Sequence, residues 1–159
     1  MSKSFSDLGI SSLLQQSLSD LQLSVPTDIQ QKAIPIILGK TEDVVAIAKT
    51  GTGKTAAFCL PLLQLVDPKD SNVQALILVP TRELGHQIHA NLVSYASLSS
   101  DISTAALCGG ISIKPQIERL KSTPQIVVAT PGRLLDLISK DAISLKALKY
   151  LILDEADEM

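Results

Sequence analysis

Short apolar runs alternate along this chain with longer stretches in which apolar residues recur every three or four positions. Short runs bounded by polar residues predict strands, and the 3.6-residue period predicts helices. Strands are predicted over 43–48, 74–79, 103–107, 125–129 and 150–153. Several read apolar throughout, as strands covered on both faces do. A helix is predicted over 11–21, where Leu14, Leu18 and Leu21 share one face. Thr27 is placed to cap a second helix starting near Asp28, which Pro35 breaks or restarts. Longer helices are predicted over 54–66 and 81–97. Shorter ones fit 114–121, with Pro115 in the first turn, and 131–139, which opens on Pro131. Residues 67–72 read as a polar surface loop. The alternation predicts an α/β fold: a mostly parallel sheet with helices on both faces.

Composition narrows the picture. A chain of 159 residues that is 45% hydrophobic can bury an ordinary core. Aromatics supply only 3%, so aliphatic residues fill it. A net charge of −2 argues against a protein that holds nucleic acid by bulk charge. It leaves room for nucleic acid held by helix N-termini and single arginines. Cys59 and Cys108 lie in apolar segments without a second ligand at metal spacing, which favours buried thiols in a reducing compartment. The first residues carry no apolar signal core, and no apolar run reaches membrane-spanning length. A soluble, cytoplasmic protein without a membrane partner is therefore expected. His86 and His89 sit three apart on one predicted helix, but no third metal ligand accompanies them.

Two segments carry chemistry. Ala48-Lys49-Thr50-Gly51-Thr52-Gly53-Lys54-Thr55 lies between a predicted strand and a predicted helix. Its glycines let backbone N–H groups close around phosphate oxygens, and the new helix points its positive end at the same anion. Lys54 is placed to reach the β- and γ-phosphates, and Thr55 to hold Mg²⁺ through its hydroxyl. The strict pattern has Gly where this chain has Ala48. The second segment is Asp154-Glu155-Ala156-Asp157, which follows the run Tyr150–Leu153. That run reads as a buried strand delivering carboxylates to the edge where open α/β sheets bind ligands. Asp154 is suited to Mg²⁺ through water, and Glu155 to orienting and deprotonating an attacking water. Alone, two acids after a strand read as readily as a surface loop; with Lys54 and Thr55 they complete a nucleotide-hydrolysis site.

Asp154-Glu155-Ala156-Asp157 is also the signature of the DEAD-box ATP-dependent RNA helicases, which this chain resembles along nearly its whole length. Pro26-Thr27-Asp28-Ile29-Gln30 resembles the adenine-reading Q motif. Residues 48–55 resemble motif I, where Ala is usual at the first position. Pro80-Thr81-Arg82-Glu83-Leu84, with Gln87, resembles motif Ia, Gly109-Gly110 the paired-glycine motif, and Thr130-Pro131-Gly132-Arg133 motif Ib. Several motifs in one order are far more specific than any one. The resemblance implies a RecA-like P-loop domain, with 1–40 as the Q-motif region and 41–159 as the core through motif II. It implies ATP and Mg²⁺ as cofactors, and RNA bound through its backbone with little sequence preference.

The resemblance also implies roles. Gln30 would read the adenine edge, with Phe5 as the isolated upstream aromatic and Leu23 and Thr27 nearby. Pro80, Thr81, Arg82, Gly109, Gly110, Thr130, Pro131, Gly132 and Arg133 would line the RNA path. Taken alone, Gly109-Gly110 reads equally as a plain turn, and 130–133 as a helix start with Pro in its first turn. Gln30 alone reads as a solvated helix residue, and Arg82 with Glu83 as a first-turn charge pair. The chain departs from the family at Gln22 and Leu23, where Gly and an aromatic are common, and at Gly85, where Ala is usual. Glycine inside a helix costs about 1 kcal/mol against alanine.

The chain ends at Met159, ahead of the family's Ser-Ala-Thr motif and its second RecA-like domain. In this class the strand after motif II lies between the phosphate-loop strand and the motif II strand. Two unpaired strand edges are therefore expected, with self-association through them. The parent activity implied is ATP-driven local separation of RNA duplexes, with little turnover by this stretch alone. Two other readings stay open: a non-catalytic nucleotide- or RNA-binding module, and a DNA helicase or other P-loop ATPase.

Overall fold

The computed structural model describes residues 3–39, 42–49, 51–98 and 101–159. The chain divides into two compact units. The first comprises residues 1–65 and 91–100, the second residues 66–90 and 101–159.

The first unit is helical. Helix α1 (Ser12–Asp20) is capped by Ser11, whose hydroxyl accepts from the Leu14 N–H. It buries Leu14 and Leu18. Helices α2 (Asp28–Gly39) and α3 (Lys54–Leu65) pack against each other. Gln64 of α3 ties down the N-terminal segment: its Oε1 accepts from the Ser11 N–H and its Nε2 donates to the Gly9 carbonyl, both at 2.8 Å. Pro35, a breaker by local pattern, does not break α2: the helix runs through it. A proline removes one intrahelical bond. The apolar stripe around it, with Ile34 0% and Ala33 5% exposed, holds the helix by burial instead.

The second unit is the sheet. Strands β1 (Ala75–Leu78), β2 (Thr104–Leu107), β3 (Ile126–Ala129) and β4 (Tyr150–Leu153) are all parallel, in the order β2-β3-β1-β4. Helix α4 (Arg82–Tyr95) begins in this unit and ends in the first. Helices α5 (Lys114–Leu120) and α6 (Pro131–Ser139) belong to the sheet unit. Register and burial assign its two faces. Leu76, Ala105, Leu107, Val127 and Ala129 point to one side, where Leu120 of α5 and Leu134 and Leu137 of α6 complete a core. Val79, Cys108 and Val128 point to the other, where α4 lies close at Gly85. The expected layered architecture is therefore present in this unit.

Two expectations fail, for one physical reason. Residues 43–48 form no strand, and Val45 and Ile47 are 91% and 94% exposed. Nor is β4 buried: Leu151 and Leu153 are 55% and 51% exposed. An extended run becomes a strand only beside a partner that takes up its N–H and C=O groups. Residues 43–48 have none among the described residues, and β4 is paired on the β1 side alone. Leu151 and Leu153 lie in register with Leu76 and Leu78, so they face the side of α5 and α6, but cover stops before them. Of the two open edges expected, only that of β4 exists as a strand edge.

Buried glutamines secure the opposite end of the sheet. The Gln74 Oε1 accepts from the Asp67 N–H at 2.9 Å, and its Nε2 donates to the Asp67 carbonyl at 2.7 Å. Gln125 accepts from the Ser103 N–H at 2.8 Å and reaches the carbonyls of Pro68 and Asp70. Both are nearly inaccessible to water.

Candidate functional site

In the first unit, the segment before α3 makes two left-handed turns, at Gly51 (φ 78°) and Gly53 (φ 90°). Only glycine adopts these without steric cost. They let the chain bend sharply and deliver Lys54 and Thr55 as the first residues of α3. Thr52 Oγ1 donates to the Lys49 carbonyl at 2.6 Å, closing the loop on itself. Lys54 and Thr55 are half-buried, Ala48 likewise, and Lys49 and Gly51 are exposed. Thr50 lies outside the described residues.

Gln30 is tied to this loop. Its Oε1 accepts from the Thr27 N–H at 2.9 Å, and its Nε2 donates to the Gly53 carbonyl at 3.0 Å. The side chain is only 6% exposed, not a solvated helix position. A carboxamide carries two N–H bonds and two lone pairs, so one donor and one acceptor position remain for a further partner. The contact is close: a Cβ at Gly53 would run into Gln30 Nε2 and lie 3.0 Å from Thr27 Oγ1. Leu23 is 42% exposed, and Phe5 is a core position at 6%.

In the second unit, parallel strands bring the loops that follow them to one edge. Residues 80–82 follow β1, 109–110 follow β2, 130–133 follow β3 and 154–157 follow β4. Arg82 lies against Gly110, where an added Cβ would meet Arg82 Nη1 at 2.6 Å and Gly110 itself has φ 82°. Thr130 Oγ1 accepts from the Gly109 N–H at 3.2 Å. Arg82 also donates to Glu83 at 2.5 Å, and this hydrogen bond holds the Glu83 carboxyl below its usual range. Thr81, Arg82, Gly110 and Gly132 are exposed; Pro80, Gly109, Thr130 and Pro131 are half-buried. Arg133 differs: it is 9% exposed and bonded internally to Gln116 and to the Ile111 carbonyl.

The acidic cluster begins where β4 stops. The Asp154 N–H donates to the Leu78 carbonyl at 3.0 Å, so the first carboxylate stands one ladder position past the strand. Glu155 has φ 52°, a conformation that costs a non-glycine residue about 1 kcal/mol or more. A single 3₁₀ turn, Ala156–Glu158, follows. Among the described residues no group of three His, Cys, Asp or Glu side chains gathers to hold a metal. His89 instead pairs with Thr104 Oγ1 at 3.1 Å, and burial pulls its pKa below the ordinary value.

Sequence reasoning singled out neither Gln74, Gln125 nor Gln116. A lone glutamine between apolar residues gives no signal of its own, and only burial reveals it.

The chain as a whole is similar to known proteins. The chain matches the DEAD/DEAH box helicase family over residues 27–159 and belongs to that family. It is 45% identical over 159 residues to the RNA helicase CrhR of Synechocystis, covering 100% of this chain and 32% of that protein. To the ATP-dependent RNA helicase DeaD of Escherichia coli it is 44% identical over 155 residues, covering 98% of this chain and 24% of that protein. The chain thus spans a quarter to a third of the length of these relatives. The DEAD box protein of Methanococcus jannaschii superposes with a TM-score of 0.92 at 41% identity, over 100% of this chain and 43% of that one. S. cerevisiae Dbp5 bound to RNA and ADP BeF3 gives 0.88 at 33% identity, over 99% and 39%. The fold is the RecA-like one of these helicases. No helix among the described residues is long and apolar enough to cross a membrane.

Proposed function

We propose that this chain supplies the nucleotide-binding and part of the RNA-binding machinery of a cytoplasmic ATP-dependent RNA helicase. The observation that carries this reading is the bond between Gln30 and the Gly53 carbonyl. It joins a side chain able to read a base edge to the loop that would hold the phosphates. Lys49, Gly51, Thr52, Gly53 and Lys54 would surround the phosphates, with Ala48 and Thr50 completing the loop. Gln30 and Thr27 would set the preference for adenine, with Leu23 covering the base in place of an aromatic. Mg²⁺ takes hard oxygen ligands, and the Thr55 hydroxyl and the Asp154 carboxylate are each of that kind. When bound, that ion neutralises charge on the phosphates. Glu155 would hold and deprotonate the attacking water.

RNA would be met by Thr81, Arg82, Gly109, Gly110, Thr130 and Gly132 at the carboxyl edge of the sheet. Backbone N–H groups and one exposed arginine bind phosphates without net positive charge, which reconciles RNA with a charge of −2. In the relatives' longer chains a second RecA-like domain would complete both surfaces. For this stretch alone we expect binding with negligible RNA-stimulated turnover, and self-association through the open edge of β4. Competition between RNA and DNA of one sequence tests the reading, because the 2′-OH is the group that differs. Preference for RNA supports it; equal binding points to a DNA helicase or a general P-loop ATPase.

A further inference from the structure

The Gly109–Gly110 turn is held at three successive points. Gln116 of α5 donates from Nε2 to the Cys108 carbonyl at 2.9 Å. Thr130 takes the Gly109 N–H. Arg133 of α6 donates from Nη2 to the Ile111 carbonyl at 2.7 Å. The two outer points are joined, since Arg133 Nη1 donates to Gln116 Oε1 at 2.8 Å. Gln116 and Arg133 are 5% and 9% exposed. The guanidinium is therefore turned inward, both its acceptors are neutral oxygens, and its Nε is buried without a partner among the described residues. A buried charge of this kind is costly to maintain. Arg82, in contrast, leaves 57% of its side chain in solvent beside Gly110.

We propose that Gln116 and Arg133 form one positioning brace that fixes the backbone of residues 108–111 for a phosphate, and that Arg133 does not itself contact RNA. The proposal rests on the RNA reading above. Two arginines of the same surface then play different parts. Arg82 meets the phosphate, and Arg133 holds the turn that presents the backbone. Gln116, outside every motif matched in the sequence, becomes a positioning residue for RNA binding.

The salt dependence of single-stranded RNA affinity separates the two roles. Each lysine or arginine that neutralises a phosphate contributes about 0.7 to the slope of log K against log salt. Arg82→Gln should lower that slope by about 0.7. Arg133→Gln and Gln116→Leu should each weaken binding about tenfold, the loss of one aligned hydrogen bond to a charged group, with the slope unchanged. The double variant should be no weaker than the weaker single one, because both break the same brace. Mg·ATP affinity of Gln116→Leu should match that of the unsubstituted chain. Should Arg133→Gln fail to fold, Arg133→Lys replaces it: it keeps the charge but cannot span both acceptors, so it should weaken binding at unchanged slope. A slope reduced by about 0.7 in the Arg133 variant would overturn the proposal, as would unchanged affinity in both brace variants. Absence of RNA binding by the unsubstituted chain would instead sink the RNA reading itself, and the brace with it.

Discussion

Gly85 is the residue at which an apparently helpful substitution should do harm. It lies in α4, where alanine would gain about 1 kcal/mol of helix propensity. An added Cβ, however, would stand 2.6 Å from Cys108 Sγ and 3.3 Å from Val79 Cγ2. Cys108 is fully buried and precedes the paired glycines, so its sulfur cannot swing into solvent. Forcing a methyl group into such a site costs about 1–3 kcal/mol. Gly85→Ala should therefore destabilise the chain by up to about 2 kcal/mol, the overpacking cost less the propensity gain. Cys108→Ala alone should cost about 1 kcal/mol for the small void. Together the two should recover most of the loss, with a coupling of about 1.5 kcal/mol, because the new methyl occupies the vacated space. Urea unfolding with unchanged slope measures each step of this cycle. A Gly85→Ala chain that is more stable by about 1 kcal/mol, with no coupling to Cys108, would refute the reasoning.

Three further outcomes follow from the same geometry. Gly53→Ala should destabilise more than Gly51→Ala in thermal or urea unfolding: both incur left-handed strain of about 1 kcal/mol, but only Gly53 would also displace Gln30. Gln74→Leu leaves the Asp67 N–H without its acceptor and the Asp67 carbonyl with the Asp70 N–H alone, so a loss of about 1 kcal/mol or more in urea unfolding is expected. Burial lowers the His89 pKa in the folded chain, so the unfolded chain binds the proton more tightly. Stability from this residue is complete above the ordinary histidine value near pH 6.5 and is lost as pH falls from there through the folded value. His89→Gln should remove that part of the pH dependence; an unchanged profile would contradict the assignment.

What can be read from the sequence is what local pattern determines. The α6 and β4 boundaries coincide with prediction because Pro131 starts one element and Asp154 ends the other. Apart from residues 43–48 and the break predicted at Pro35, the remaining strands and helices differ only at their ends, where fraying makes boundaries soft. Residues 43–48 mislead because β-structure is a property of pairs, and an apolar run carries no record of whether its partner is present. Pro35 misleads because the burial of Ala33 and Ile34 outweighs a local breaker signal. In the candidate site, residue types and their order are legible, but the direction of side chains is not. Nothing in Thr130-Pro131-Gly132-Arg133 says that Arg133 turns inward to Gln116 while Arg82 stays in water. Nor does Gln30 announce that both ends of its amide are engaged within its own unit.

The proposal that Gln30 couples base choice to phosphate binding through the Gly53 carbonyl has its sharpest test in titrating Mg·ATP and Mg·GTP into the chain and into Lys54→Ala. ATP should bind, GTP should bind at least about tenfold more weakly, and Lys54→Ala should lose about tenfold or more of the ATP affinity. Equal affinity for the two nucleotides, or ATP binding untouched by Lys54→Ala, would contradict that coupling.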